Sequence, residues 1–146
     1  ITSAMGDVEF DSNETITADS IELDLAMGDF TCSTVQTENF YATVSMGNFT
    51  GGLVLADSFT ADVAMGNFDL GVLEGAKTCH VNAGMGNIGL TVDGKPDDYT
   101  LDLQAPMGDV AFNGKPLGSS YAQQPTSART VALTAGMGDV VLTTTE

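Results

Sequence analysis

The chain has 146 residues, enough for one domain with a buried core, and carries 20 Asp and Glu against four basic residues for a net charge of −16. Charge of that sign repels phosphate backbones and anionic headgroups, so nucleic acid and direct binding to an anionic membrane surface are not expected. With 42% hydrophobic residues recurring regularly, disorder is not expected either, and no apolar run is long enough to cross a bilayer as a helix.

In chain order, the first landmark is Met5-Gly6-Asp7. The same tripeptide, with Asp or Asn in third place, returns as Met27-Gly28-Asp29, Met46-Gly47-Asn48, Met65-Gly66-Asn67, Met85-Gly86-Asn87, Met107-Gly108-Asp109 and Met137-Gly138-Asp139. These seven copies use every methionine, at intervals of 22, 19, 19, 20, 22 and 30 residues. Before each motif after the first, apolar residues stand two, four and six places upstream: Leu25, Leu23 and Ile21, then Val44, Ala42 and Phe40, and so on to Ala135, Leu133 and Val131. Polar residues alternate with them, which is the period of a strand with one buried face. After each motif the alternation resumes one residue out of phase, with Val8, Phe30, Phe49, Phe68, Ile88, Val110 and Val140 as the first apolar residues. A phase slip at Met-Gly-Asp/Asn predicts a corner, because Gly frees the backbone and Asp or Asn tolerates left-handed geometry. A third apolar stretch follows around Val35, Val54 and Leu73.

A unit of about 20 residues cannot bury its face alone, but a stack can. The expected fold is therefore all-β: a single domain over residues 1–146, built as a right-handed parallel β-solenoid (β-helix) of six to seven coils of roughly 20 residues. An antiparallel meander would need short hairpin turns between its strands and gives no reason for the same corner each time. Two stretches break the period. Asp93-Gly94-Lys95-Pro96-Asp97-Asp98 is a turn cluster, and the segment 113–129, from Asn113-Gly114-Lys115-Pro116 through Tyr121 and Pro125 to Arg129, is an inserted loop, hairpin or cap. The chain opens on Ile1 rather than methionine and already in a strand-like pattern. We read it as an excised or processed segment, with any anchor or signal expected upstream of Ile1.

The repeated corners, the run Tyr99-Thr100-Leu101-Asp102-Leu103, then Gly108-Asp109-Val110, Asn113-Gly114-Lys115 and Gly138-Asp139-Val140 resemble the bacterial adhesin-like β-strand-repeat family, whose members carry Gly-Asp-[Ile/Val] corners on a parallel β-helix. The resemblance spans essentially the whole chain. It departs in placing Met where that family commonly has Ser before Gly. It implies a bacterial cell-envelope domain, often behind a membrane anchor, with no enzymatic activity assigned.

The column Asp7, Asp29, Asn48, Asn67, Asn87, Asp109 and Asp139 is read as a structural corner, with Asn in the middle to avoid stacking like charge. Stacked carboxylates could also ligate Ca²⁺ or stand at glycosidase spacing, but any two neighbouring coils meet such spacings. Alternation places the methionines on the inward phase, as a core ladder; exposed, their thioethers would suit Cu(I). Cys32 and Cys79 fall on inward phases of different strands, at least two coils apart, which predicts two free buried thiols. His80, the only histidine, should face outward between Thr60 and Asp102. Outward columns such as Ser20, Asn39, Ser58, Thr78, Thr100 and Thr130 read as solvated ladder faces. No catalytic residue, metal ligand or cofactor is assigned. The expected function is a non-enzymatic envelope scaffold or interaction module for a protein or glycan, with the solenoid ends as the place for self-association. The alternative is a carbohydrate-binding or carbohydrate-active β-helix with a carboxylate-lined face.

Overall fold

The computed structural model describes residues 2–10, 15–95, 98–124 and 129–145. Of the features named above, Ile1, Pro96, Asp97 and Pro125 lie outside the described residues. Among these residues the fold is all-β: fourteen strands join in one curled, mostly parallel sheet.

The strands follow the repeat. β1 (Thr2–Ser3) and β2 (Val8–Phe10) come first, then the long β3 (Ile16–Met27), β4 (Phe30–Met46) and β5 (Phe49–Met65). β6 (Phe68–Glu74), β7 (Thr78–Met85) and β8 (Ile88–Val92) carry the central repeats. β9 (Tyr99–Gln104), β10 (Val110–Phe112), β11 (Lys115–Pro116), β12 (Ser120–Gln123), β13 (Arg129–Met137) and β14 (Val140–Thr144) complete the chain.

Equivalent residues pair across neighbouring repeats. Phe40 lies beside Phe59, Val44 between Leu25 and Val63, and Met46 between Met27 and Met65, all in parallel register. This register is the one that keeps the alternating apolar residues of the strands on one face, since a one-residue slip would expose the whole set. The buried face curls on itself, so residues before and after a corner meet in one core. Phe30, which opens β4, and Phe40, further along the same strand, approach edge to face at 6.3 Å between ring centroids. Phe49 stacks on Phe68 at 4.8 Å and Phe40 on Phe59 at 5.0 Å, and the two columns interleave edge to face. Gly51 sits within this core because Leu70 fills the space: a Cβ there would lie 2.4 Å from Leu70 Cδ1.

Three features stand out against the sequence reading, two as departures and one, the cap, as a form it allowed. First, repeats do not stack in chain order. β13 and β14 lie between β7/β8 and β9/β10, so the last repeat is intercalated and the 99–112 repeat is outermost. The interval of 30 residues before Met137 gives the chain length to run around the outermost repeat and return. In consequence, His80 is exposed and flanked by Thr60 and Ala132 rather than Asp102.

Second, the insertion is a cap. β11 and β12 pair antiparallel with β10 and β9. Leu117 and Tyr121 pack on the core, with Tyr121 stacked on Phe112 at 6.0 Å. Asn113, at φ 50°, anchors the turn: its amide donates to Thr144 Oγ1 at 3.0 Å and its Oδ1 accepts from Thr144 N–H at 2.8 Å. Antiparallel strands at this end occupy the edge that another parallel repeat would otherwise join.

Third, the methionines point outward. Met27, Met46, Met65, Met85 and Met137 are 40–45% exposed, and Met5 and Met107 more than 70%. Alternation carried forward from Leu25 would turn Met27 inward, but the corner starts one residue sooner. Ala26, Met27 and Asp29 all face solvent before Phe30 turns in. At a convex corner the interior is already filled by the residues on either side, here Leu25 and Phe30.

Candidate functional site: the corner column and the Arg129 cluster

The corners are built by hydrogen bonds between repeats. Gly66 N–H donates to Met85 O at 2.9 Å and Phe68 N–H to Asn87 O at 2.9 Å, and the same pair recurs along the stack. The side chains add a second ladder. Asp7 Oδ1 accepts from Asp29 N–H, Asp29 from Asn48, Asn48 from Asn67, Asn67 from Asn87, Asn87 from Asp139 and Asp139 from Asp109, at 2.8–3.0 Å. In this spatial order the carboxylates occupy the two ends and the amides the centre. Each side chain supplies one oxygen to the next repeat rather than closing its own turn, and an amide oxygen serves as well as a carboxylate. The three Asn residues therefore relieve like-charge stacking without loss of an acceptor.

This geometry sets the response to substitution. Asp29→Asn keeps the acceptor and removes a charge facing Asp7, so its stability should match the parent or slightly exceed it. Asp29→Ala leaves Asn48 N–H without that partner and should cost about 0.5–1.5 kcal/mol by chemical denaturation. A rise in melting temperature specific to Ca²⁺ over Mg²⁺, lost in Asp29→Asn, would instead identify a calcium column. Among the described residues, no group of three or more His, Cys, Asp or Glu side chains is placed to hold a metal ion.

A second cluster has no counterpart in the repeat. Arg129 opens β13 where it enters the stack. Its Nη2 meets Asp93 Oδ1 at 2.6 Å, its Nε donates to Ala76 O at 3.0 Å, and its guanidinium lies 4.4 Å from the centroid of the Tyr99 ring. Asp93 Oδ1 also accepts from Gly75 N–H at 3.1 Å, and the Tyr99 hydroxyl donates to the Asp93 carbonyl. Partial burial works against the Asp93 charge, but the bonds from Arg129 and Gly75 outweigh it and hold this carboxyl below the usual range. Burial is the main cause that pushes the Tyr99 hydroxyl upward. The cluster thus ties the turn after β8, the start of β9 and the start of β13 at the point where the chain leaves sequential order. In the sequence the only sign is that Arg129 is the single arginine of the chain. Asp93 also borders a shallow cleft of about 360 Å³ with Gln36, Thr37, Asp57, Glu74 and Gly75.

The thiols of Cys32 and Cys79 are free and buried. Burial pushes Cys32 up to about 11 and Cys79 up to about 12. Both should resist maleimide at neutral pH in the native protein and react on unfolding. Because the folded-state values lie above the ordinary value of 9.0, the neutral thiols favour folding fully below pH 9. That contribution is lost as pH rises toward 11 and 12. Replacing both with Ala should flatten the loss of stability across that window, as read by denaturant titration; an unchanged slope would place the ionising groups elsewhere.

No family model, curated protein sequence or solved structure matches the chain.

Proposed function

We propose that the chain is a right-handed parallel β-solenoid acting as a non-enzymatic scaffold or interaction module of the adhesin-like repeat type. In this reading it stands at a bacterial cell envelope and presents its flanks to a protein or glycan. The observation that carries this reading is the use made of the repeated residues. The phenylalanines stack in the core, and the Asp/Asn oxygens are engaged in binding one repeat to the next. Repetition so employed gives stiffness, and one column left outside is short and polar: Ser20, Asn39, Ser58, Thr78, Thr130 and Thr100 stand in register. Right-handedness follows from the chirality of parallel crossovers. Fractionation of cells expressing the full-length gene, with protease treatment of intact cells, tests the location. Recovery only from the cytosol would overturn it.

A carbohydrate-binding reading has one observation in its favour. Tyr41, 51% exposed, stands beside Glu22, Asp24 and Thr43 at a shallow hollow of about 320 Å³. An aromatic face next to carboxylates suits a sugar ring, with stacking from one and hydroxyl hydrogen bonds from the other. On a glycan array, this reading requires a bound saccharide whose signal is lost in Tyr41→Ala. An array without binding removes it.

A further inference from the structure

The outward turn of the methionines removes the reason to treat them as core filling. Met27, Met46, Met65, Met85 and Met137 are consecutive in space, each paired by register with the next. All five are partly exposed, at 40–45%. They form one line of thioethers on the outside of the sheet.

The flanks of that line are bare. On one side of each methionine is the corner glycine, and on the other stand Ala26, Ser45, Ala64, Gly84 and Gly136. Backbone approach enforces part of this. A Cβ on Gly84 would lie 2.7 Å from Ala64 O, and one on Gly136 would lie 2.8 Å from Gly84 O. With small residues on either side in the chain, each methionine has the methionines one repeat away as its register neighbours. Unbranched and flexible, they can bring sulfurs from adjacent repeats together.

The spacing suits a metal. Adjacent parallel strands lie about 4.8 Å apart. Two sulfurs on opposite sides of one ion, each at about 2.3 Å as thiolate sulfur stands from zinc, are ~4.6 Å apart. Thioether sulfur is a soft, uncharged donor that selects Cu(I) over hard divalent ions. The net charge of −16 further favours a cation at the surface.

We propose that this methionine ladder is a binding site for a soft monovalent cation of the Cu(I) class, held between thioethers of adjacent repeats. Binding requires no proton release, because a thioether does not titrate. That separates the site from one built on carboxylates, His80 or the two thiols, all of which gain metal affinity as they deprotonate.

Ag(I), which has the same charge and softness without redox chemistry, is the probe. The protein carrying Cys32→Ala and Cys79→Ala, labelled with ¹³C at the methionine methyl groups, is titrated with silver nitrate and followed by NMR. The ladder resonances should shift, with Met46 and Met65 at the centre among the most affected. Met107, 73% exposed and outside the register pairs, should shift less. Affinity should be the same at pH 5.5 and pH 7.5 and should fall about tenfold or more in Met46→Leu/Met65→Leu. Leucine preserves the volume at these exposed positions, and an unchanged melting temperature verifies the fold. Unmoved methyl resonances, equal shifts at Met107 and the ladder, a pH-dependent affinity, or full binding by the double-Leu variant would each overturn the proposal.

Discussion

Phe49→Ala should destabilise the protein by about 3–5 kcal/mol, the cost of a buried phenylalanine replaced by alanine in a core that collapses incompletely. Phe49 is fully buried and has four aromatic neighbours: Phe30 and Phe68 at 4.8 Å, Phe40 at 5.9 Å and Phe59 at 6.2 Å. Its loss removes the central member of one column and a contact to each side of the other, and strands on both sides are held by main-chain pairing that resists closing the gap. Thr43→Ala, at an exposed position of the neighbouring strand β4, should change stability by no more than about 0.5 kcal/mol. Denaturant unfolding of both variants checks this, and similar losses from the two would refute the assigned inner face.

Gly66→Ala should be comparably severe, for a reason outside the hydrophobic core. Its φ is +138°, and an added Cβ would stand 1.7 Å from the carbonyl oxygen of Gly47 in the next repeat. Only separation of the two repeats relieves that overlap, at the expense of bonds such as Gly47 N–H to Met65 O at 3.0 Å and Asn67 N–H to Asn48 Oδ1 at 3.0 Å. A loss of about 3 kcal/mol or more is expected. Gly6→Ala separates the two contributions. Its φ is +118°, yet nothing lies within 4 Å of the added Cβ, so only backbone strain of about 1–2 kcal/mol applies. Equal thermal shifts for the two variants would show that the close approach between repeats is not what requires glycine.

These two positions mark how far a sequence pattern reaches. The inner face was legible because side chains alternate with a period of two, and burial obeys that period along any straight strand. Ile21, Leu23 and Leu25, then Phe40, Ala42 and Val44, are buried as their spacing implies. At the corner the rule fails by one residue. Alternation describes a strand up to its bend, but the place of the bend is set by the approach of one corner's backbone to the next. That misplaced Met27 and its equivalents, and the exposed thioether ladder came only with the third dimension.

The sequence by itself determined that this is a repeat protein of β-strands, which residues of its straight strands line the core, that the thiols are free and buried, and where the period is interrupted. Each of those is a property of local spacing, and local spacing survives in one dimension. The order of the repeats was decided by the tertiary structure alone. Every repeat offers the same alternation to its neighbours, so the edge of β7 and β8 accepts the 99–112 repeat and the 129–144 repeat on similar terms as far as pattern goes. The segment between Phe112 and Arg129 settles the choice. It folds back as β11 and β12 along the outermost repeat, while Arg129 locks onto Asp93, Ala76 and Tyr99 and delivers β13 into the interior position. Those partners lie between 30 and 53 residues from Arg129 in the chain, and contacts at such separations leave no period to be read.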